Sequence, residues 1–278
     1  MKAKESRRES AGLRFRPNSS FEKGLRVLRA FDGARRTLRL KDIVDLTGLE
    51  KSAAQRFTYT LLDLGFLRRD EATKSYTLSP KVLELASAYL KGDPLVERAY
   101  PYLLEAARKT GETVNLVVRE DTSVIYVARV AGSQPMFLDI VIGDWFPAWS
   151  IADGRAILAF LPEAQVRDIL ARSEFRAYTD KTVTDPKALM DELRQARKLS
   201  YAYAADQYVP GTMSIAAPVL GAGGVPEAAV SIHAPNARAS AAYSRKTLGP
   251  VAVETARAIA TVLTGRKGLP PLPRPQRP

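Results

Sequence analysis

Ser52, Gln55, Arg56 and Tyr59 recur at three- and four-residue spacing, so at about 100° per residue they share one face of a helix. Arginine forks onto guanine O6/N7 and glutamine onto adenine N6/N7 in a major groove. Lys51 and Tyr59 suit phosphates. A second group of reactive residue types lies far downstream. Asp206, Ser214 and His233 are the ingredients of a nucleophilic triad, but no Gly-x-Ser-x-Gly elbow accompanies them. A lone His in an apolar run, Val230 to Ala234, is more often a satisfied core residue. Trp145 and Trp149 flank a passage from loop into helix, Ala148 to Arg155, whose unpaired N–H groups suit an anion. Either indole has the shape to stack on an aromatic ring or to fill a core.

Other chemistries are excluded by composition. The chain has no Cys and one His, which rules out thiolate chemistry and a His-rich metal site, and no cofactor is expected. It carries neither a P-loop nor a Rossmann fingerprint. Gly221-Ala222-Gly223-Gly224 runs into Val225-Pro226 and a strand, so it reads as a hairpin turn and not a phosphate cradle.

The elements that position the first group are legible. Leu40, Ile43 and Val44 mark a helix that Thr47-Gly48-Leu49 interrupts, and the helix carrying Ser52 to Tyr59 stops at Gly65. Its apolar side is expected to hold Ala54, Phe57, Leu61 and Leu64, with Asp63 on the polar side. Phe66 to Asp70 and Lys74 to Leu78 then form a hairpin around Glu71-Ala72-Thr73, which places Arg68, Arg69 and Lys74 beside a nucleic-acid backbone. Upstream, Ser20 is the expected N-cap of a helix from Phe21 to Phe31 with Leu25, Leu28 and Phe31 inward. Arg39 stands where a capping Ser or Thr is usual. Helix-turn-helix plus hairpin is a winged helix, and duplex DNA is the partner it implies. Residues 1–80 hold 18 Lys+Arg against 10 Asp+Glu, so +8 of the net +12 sits on the first third. Clustered cations are an electrostatic footprint for DNA.

With 278 residues, 46% of them hydrophobic, the chain has room for a second core. Ser79-Pro80 opens a helix to about Lys91, and Asp93-Pro94 opens another that ends at Gly111. Period-two alternation follows over Thr113–Val118 and Ser123–Ala128. Helices are expected over Arg155–Phe160, Glu163–Ala171 and Pro186–Leu199, strands over Tyr201–Ala205, Thr212–Leu220 and Ala228–His233, and a final helix over Tyr243–Leu263. That order indicates an α+β domain. The expected division is 1–16 basic tail, 17–79 winged helix-turn-helix, 80–92 linker helix, 93–264 effector domain and 265–278 Pro/Arg-rich tail, both tails mobile. Neither a membrane span nor a secretory signal is legible, which places the protein in the cytoplasm.

Together with the winged helix and linker, GDWFPAWSIADGRAILAFLP, TVTDPKALMDELRQARKLSYAYAADQYVPGTMSIAAPV and AAVSIHAP resemble the IclR family of bacterial transcription regulators from about Phe21 to Leu263. The resemblance implies a linker helix that contributes to a homodimer or dimer of dimers, and a GAF-like α+β domain that binds a small organic acid. Its effector segment falls on Ala148, Trp149, Ile151, Ala152, Asp153 and Gly154, with Trp145 beside it, and its further pocket positions on Asp206, Tyr208, Ser214 and His233. This chain departs from the family's frequent Cys at Ser214 and acidic residue at Tyr208. The surrounding aromatic residues favour an aromatic carboxylate such as a benzoate derivative. An effector-independent or architectural DNA binder is the alternative, and catalysis is not expected.

Overall fold

The computed structural model describes residues 18–134 and 138–265, so the two expected tails, apart from Gly265, lie outside the described residues. Two compact units divide between Tyr89 and Leu90, inside the expected linker helix.

In the first unit, α1 (Ser19–Leu28) is capped by Asn18, whose side-chain oxygen accepts from the N–H groups of Ser20 and Phe21. The cap therefore falls ahead of Ser20. The inward stripe runs Val27, Leu28, Phe31, which leaves Leu25 45% exposed. β1 (Thr37–Arg39) was not legible, because three residues carry too little alternation to read. It leads into α2 (Leu40–Thr47), where Arg39 takes the N-cap position although a guanidinium accepts no hydrogen bond. The Asp42 carboxylate instead accepts the Arg39 N–H at 2.8 Å, half of a capping box. Gly48, at φ 64°, ends α2 in the left-handed region.

After that turn, α3 (Lys51–Asp63) buries Ala54, Thr58 and Leu61. Phe57 is half-buried, while Leu64 lies past the helix end and is 51% exposed, so the expected apolar stripe stops one turn short. β2 (Leu67–Arg69) and β3 (Ser75–Leu78) form the expected hairpin, and β1 pairs with β3 on its other side. Ser79 accepts from the Lys81 N–H and opens a 3-10 turn, Pro80–Val82, before α4 (Leu83–Gly92). The helix expected from Pro80 thus begins with a tighter turn, as helix starts often do. None of the ten residues of α4 is buried.

The second unit opens with α5 (Pro94–Thr110), capped by Asp93 and ended by left-handed Gly111. β4 (Thr113–Glu120), β5 (Ser123–Val130), β6 (Trp145–Pro147), α6 (Ala152–Leu158), α7 (Glu163–Ala171), α8 (Pro186–Leu199), β7 (Ala202–Ala205), β8 (Thr212–Leu220) and β9 (Pro226–Pro235) follow. The six strands form one antiparallel sheet in the order β6-β5-β4-β9-β8-β7. The single final helix of the sequence reading is instead α9 (Ala241–Tyr243), a π turn (Ser244–Leu248) and α10 (Gly249–Leu263). Pro250 supplies no N–H to the helical ladder, and the wide turn lies just before it.

Both sheet faces are covered. Leu103 and Ala106 of α5 and Ala252 and Ile259 of α10 pack on one, with Ile215 and Val230. Ile157, Val166 and Leu189 of the middle helices pack on the other, with Ala216 and Ala229. Adjacent strand residues thus enter opposite cores, so β8 and β9 read as continuous apolar runs. Helix α6 begins three residues before the expected Arg155, and all seven of its residues are buried, so it had no polar face to reveal its period. Among the described residues no helix is long and apolar enough to cross a membrane.

Candidate functional site

Helix α3 presents Lys51, Ser52, Gln55, Arg56 and Tyr59 to solvent, and Tyr59 is 71% exposed. Its position after the Gly48 turn holds that polar face clear of the core beneath. In the wing, Arg68 is exposed, and two other cations converge on Glu71. Lys74 Nζ donates to Glu71 Oε2 at 2.8 Å and Arg69 lies 3.7 Å from the same carboxylate. Arg69 also sits 5.9 Å above the Tyr76 ring.

In the second unit a cavity of about 440 Å³, including its open mouth, lies at one face of the sheet. Tyr126, Phe146 and Tyr208 supply ring walls and Leu138, Ile140 and Ile151 aliphatic ones. Ser214 and His233 face each other from paired strands β8 and β9, and both line the cavity. Phe146 stands edge-on to Tyr126 at 5.5 Å and to Tyr208 at 5.1 Å. Burial and the neighbouring Tyr178 push the Tyr208 phenol up to about 12, so it remains a hydrogen-bond donor at neutral pH.

Behind this cavity lies a polar floor. Asp153 is fully buried, and its Oδ1 accepts from Tyr126 Oη at 3.0 Å and lies 3.3 Å from His233 Nε2. Ser231 Oγ is 3.1 Å from the same imidazole nitrogen, and Asn115 reaches Ser231 at 3.5 Å. Burial alone would raise the Asp153 carboxyl, but His233, Ser231 and Tyr126 outweigh it and hold the group below its ordinary value. Burial, then the Asp153 charge, pushes the Tyr126 phenol well up. Two readings of His233 therefore hold together: it is a satisfied core residue, and it lines the cavity.

Of the residues singled out from the sequence, Ile151, Tyr208, Ser214 and His233 come together on the lining. Trp145 is 58% exposed on the edge strand β6, whereas Trp149 is fully buried against Phe175, 4.8 Å away, and Tyr178. Neither indole reaches the lining. Ala148 and Ala152 are buried outside it, and the Ala148 and Ser150 N–H groups already donate to Thr122 and Pro147. Gly154 packs so closely on Ala148 that a Cβ would stand 2.2 Å from its carbonyl oxygen. Asp206 is not the carboxylate of a His233 pair, since Asp153 takes that place. Instead, Asp206 accepts from Lys181, the Gly211 N–H and Asn236, which fixes the turn carrying Gln207 and Tyr208. Tyr126 and Phe146 were missed, although Tyr126 lies two residues after Val124 and shares its buried face, before a bulge sends Ala128 to the opposite core.

A winged helix-turn-helix carried on one chain with a separate α+β domain defines the class of two-module DNA-binding regulators. Residues 20–71 match the IclR helix-turn-helix domain and 87–261 the bacterial transcriptional regulator IclR C-terminal domain. The chain belongs to the IclR family of DNA-binding transcription regulators, whose members are regulators and not enzymes. It is 30% identical over 248 residues to the Pca regulon regulatory protein of Pseudomonas putida, covering 89% of this chain and 84% of that one. A putative transcriptional regulator from Rhodococcus sp. RHA1 superposes with TM-score 0.75 at 32% identity, over 88% of this chain and 98% of that one. An IclR homologue from Microbacterium hydrocarbonoxydans, solved with 4-hydroxybenzoate, superposes with TM-score 0.72 at 26% identity, over 88% and 99% of the two chains.

Proposed function

We propose that this regulator answers to a small aromatic carboxylate held in the cavity between β5, β8 and β9, and that the ligand changes its affinity for DNA in the cytoplasm. The observation that carries the reading is the pairing of three ring walls, Tyr126, Phe146 and Tyr208, with the hydroxyl of Ser214 and the imidazole of His233. Rings favour edge-on and offset partners, and the walls already stand edge-on to one another. Among the described residues no Lys or Arg lines the cavity. The carboxylate therefore meets neutral donors, Ser214 and Tyr208, which suits a monoanion released again when its concentration falls. The 4-hydroxybenzoate in the Microbacterium homologue is a ligand of this class.

Ser52, Gln55 and Arg56 read base edges, Lys51 and Tyr59 hold phosphates, and Arg68 leads the wing contacts. Leu83 and Leu85 of α4 are 63% and 66% exposed, and a second copy of the chain covers them in a homodimer. The same dimers are able to pair into a dimer of dimers.

A ligand that binds only the folded state raises the melting temperature. 4-Hydroxybenzoate is expected to do so and acetate not to, with the shift lost in Ser214→Leu. Equal shifts from aromatic and aliphatic acids, or none from either, would sink the aromatic assignment. Coupling is reciprocal, so DNA must change 4-hydroxybenzoate affinity by the factor by which 4-hydroxybenzoate changes DNA affinity. On the DNA side, Arg56→Ala is expected to cost about 1–3 kcal/mol at one operator position and to relax specificity there. Equal weakening on operator and random DNA, measured by anisotropy at fixed salt, would place Arg56 on phosphate.

A further inference from the structure

Outside the aromatic cavity, a cleft of about 250 Å³ opens between α8 and β7, lined by Arg155, Glu192, Gln195, Tyr203, Gln207 and Arg245 among others. Arg155 is 1% exposed. Its Nε donates to the Trp149 carbonyl at 2.7 Å and its Nη1 to Glu192 Oε2 at 2.5 Å, yet its buried Nη2 has no hydrogen-bond partner among the described residues. Gln207 also lines this cleft, and its buried Oε1 has no partner among the described residues. A buried donor or acceptor left unmade is costly, and here one of each belongs to residues that line a single space. The exposed Arg245 guanidinium sits 5.3 Å over the Tyr203 ring on the same walls. Two guanidiniums against the single Glu192 carboxylate leave the lining at +1, which matches a monoanion.

We propose that this cleft is a second ligand site, for a small 2-hydroxy monocarboxylate. Its carboxylate bridges Arg155 Nη2 and Arg245, and its hydroxyl donates to Gln207 Oε1. Gln207 also lines the aromatic cavity, so the two ligands meet at one shared side chain and each changes the affinity of the other.

Calorimetric titration of the full chain with glycolate tests this. Glycolate is expected to bind with a Kd of about 1 mM, and acetate, which lacks the hydroxyl, about tenfold more weakly. Arg245→Gln and Gln207→Leu are each expected to weaken glycolate about tenfold or more. Ser214→Phe, which fills the aromatic cavity, is expected to keep glycolate binding and to abolish its dependence on 4-hydroxybenzoate. Arg245 lies on the surface, so Arg245→Gln should melt as the parent does and keep its thermal response to 4-hydroxybenzoate. That response separates failure here from failure of the aromatic-acid reading. Absence of glycolate binding would overturn the proposal, as would acetate binding equally well, or loss of binding in Ser214→Phe with retention in Arg245→Gln.

Discussion

Asp153→Ala is expected to destabilise the second unit by about 1–3 kcal/mol for each buried donor it leaves unsatisfied, the usual consequence of removing a buried hydrogen-bond acceptor. The Tyr126 hydroxyl would lose its acceptor and His233 its carboxylate, and both side chains are buried. Denaturant unfolding followed by far-ultraviolet dichroism measures the loss, and a change below about 1 kcal/mol would remove Asp153 from any central structural role. A pH series tests the charge itself. The folded state holds the Asp153 carboxyl below its ordinary value of 3.8. The native state therefore binds this proton less readily than the unfolded chain, and stability rises with pH through that range. The contribution is complete above the ordinary value and is lost as pH falls through the depressed one. Asp153→Asn is expected to flatten this acid limb, whatever it does to stability at neutral pH.

Gly154→Ala has the second large effect. An added Cβ would stand 2.2 Å from the Ala148 carbonyl oxygen and 2.4 Å from its Cα, and both are backbone atoms. Ala148 has little room to retreat, because it is fully buried and its N–H is bonded to the Thr122 carbonyl at 2.9 Å. Overpacking costs about 1–3 kcal/mol where side chains yield, and more where they do not. A loss near 3 kcal/mol would lower the melting temperature by roughly 6–12 °C in a unit of this size. Gly92→Ala is the control, since a Cβ there meets nothing within 4 Å. Equal melting of the two variants would mean that α6 and the Ala148 segment are free to separate.

The reading helix was legible because its period stands against solvent: Ser52, Gln55, Arg56 and Tyr59 keep one face while Ala54 and Leu61 keep the other. The same test fails for α6, where burial on every side erases the contrast, so its start was placed three residues late. Strand β1 was lost to its length, and the Asn18 cap to the competing Ser20. In the cavity, Ser214, His233 and the ring of Tyr208 were found, and the rings of Tyr126 and Phe146 were not. For Trp149 the sequence left stacking on a ligand and filling a core both open, and its neighbours in space, Phe175 and Tyr178, give it the core role. The Asp153–His233 contact joins residues 80 positions apart, a pairing that no local pattern encodes.

The aromatic cavity is built from parts of unequal rigidity. Its floor belongs to β8 and β9, each hydrogen-bonded to a strand on both sides in the middle of the sheet, while much of its wall is the short edge strand β6 and the turns around residues 138–140 and 207–209. Backbone in central strands opens only with the whole domain, whereas edges and turns open locally at far lower free energy. A ligand held there would exchange through the wall while the floor stays closed. Its residence time would be set by how often those turns part, so substitutions there would change dissociation rates, and substitutions on the floor would change which molecule is held.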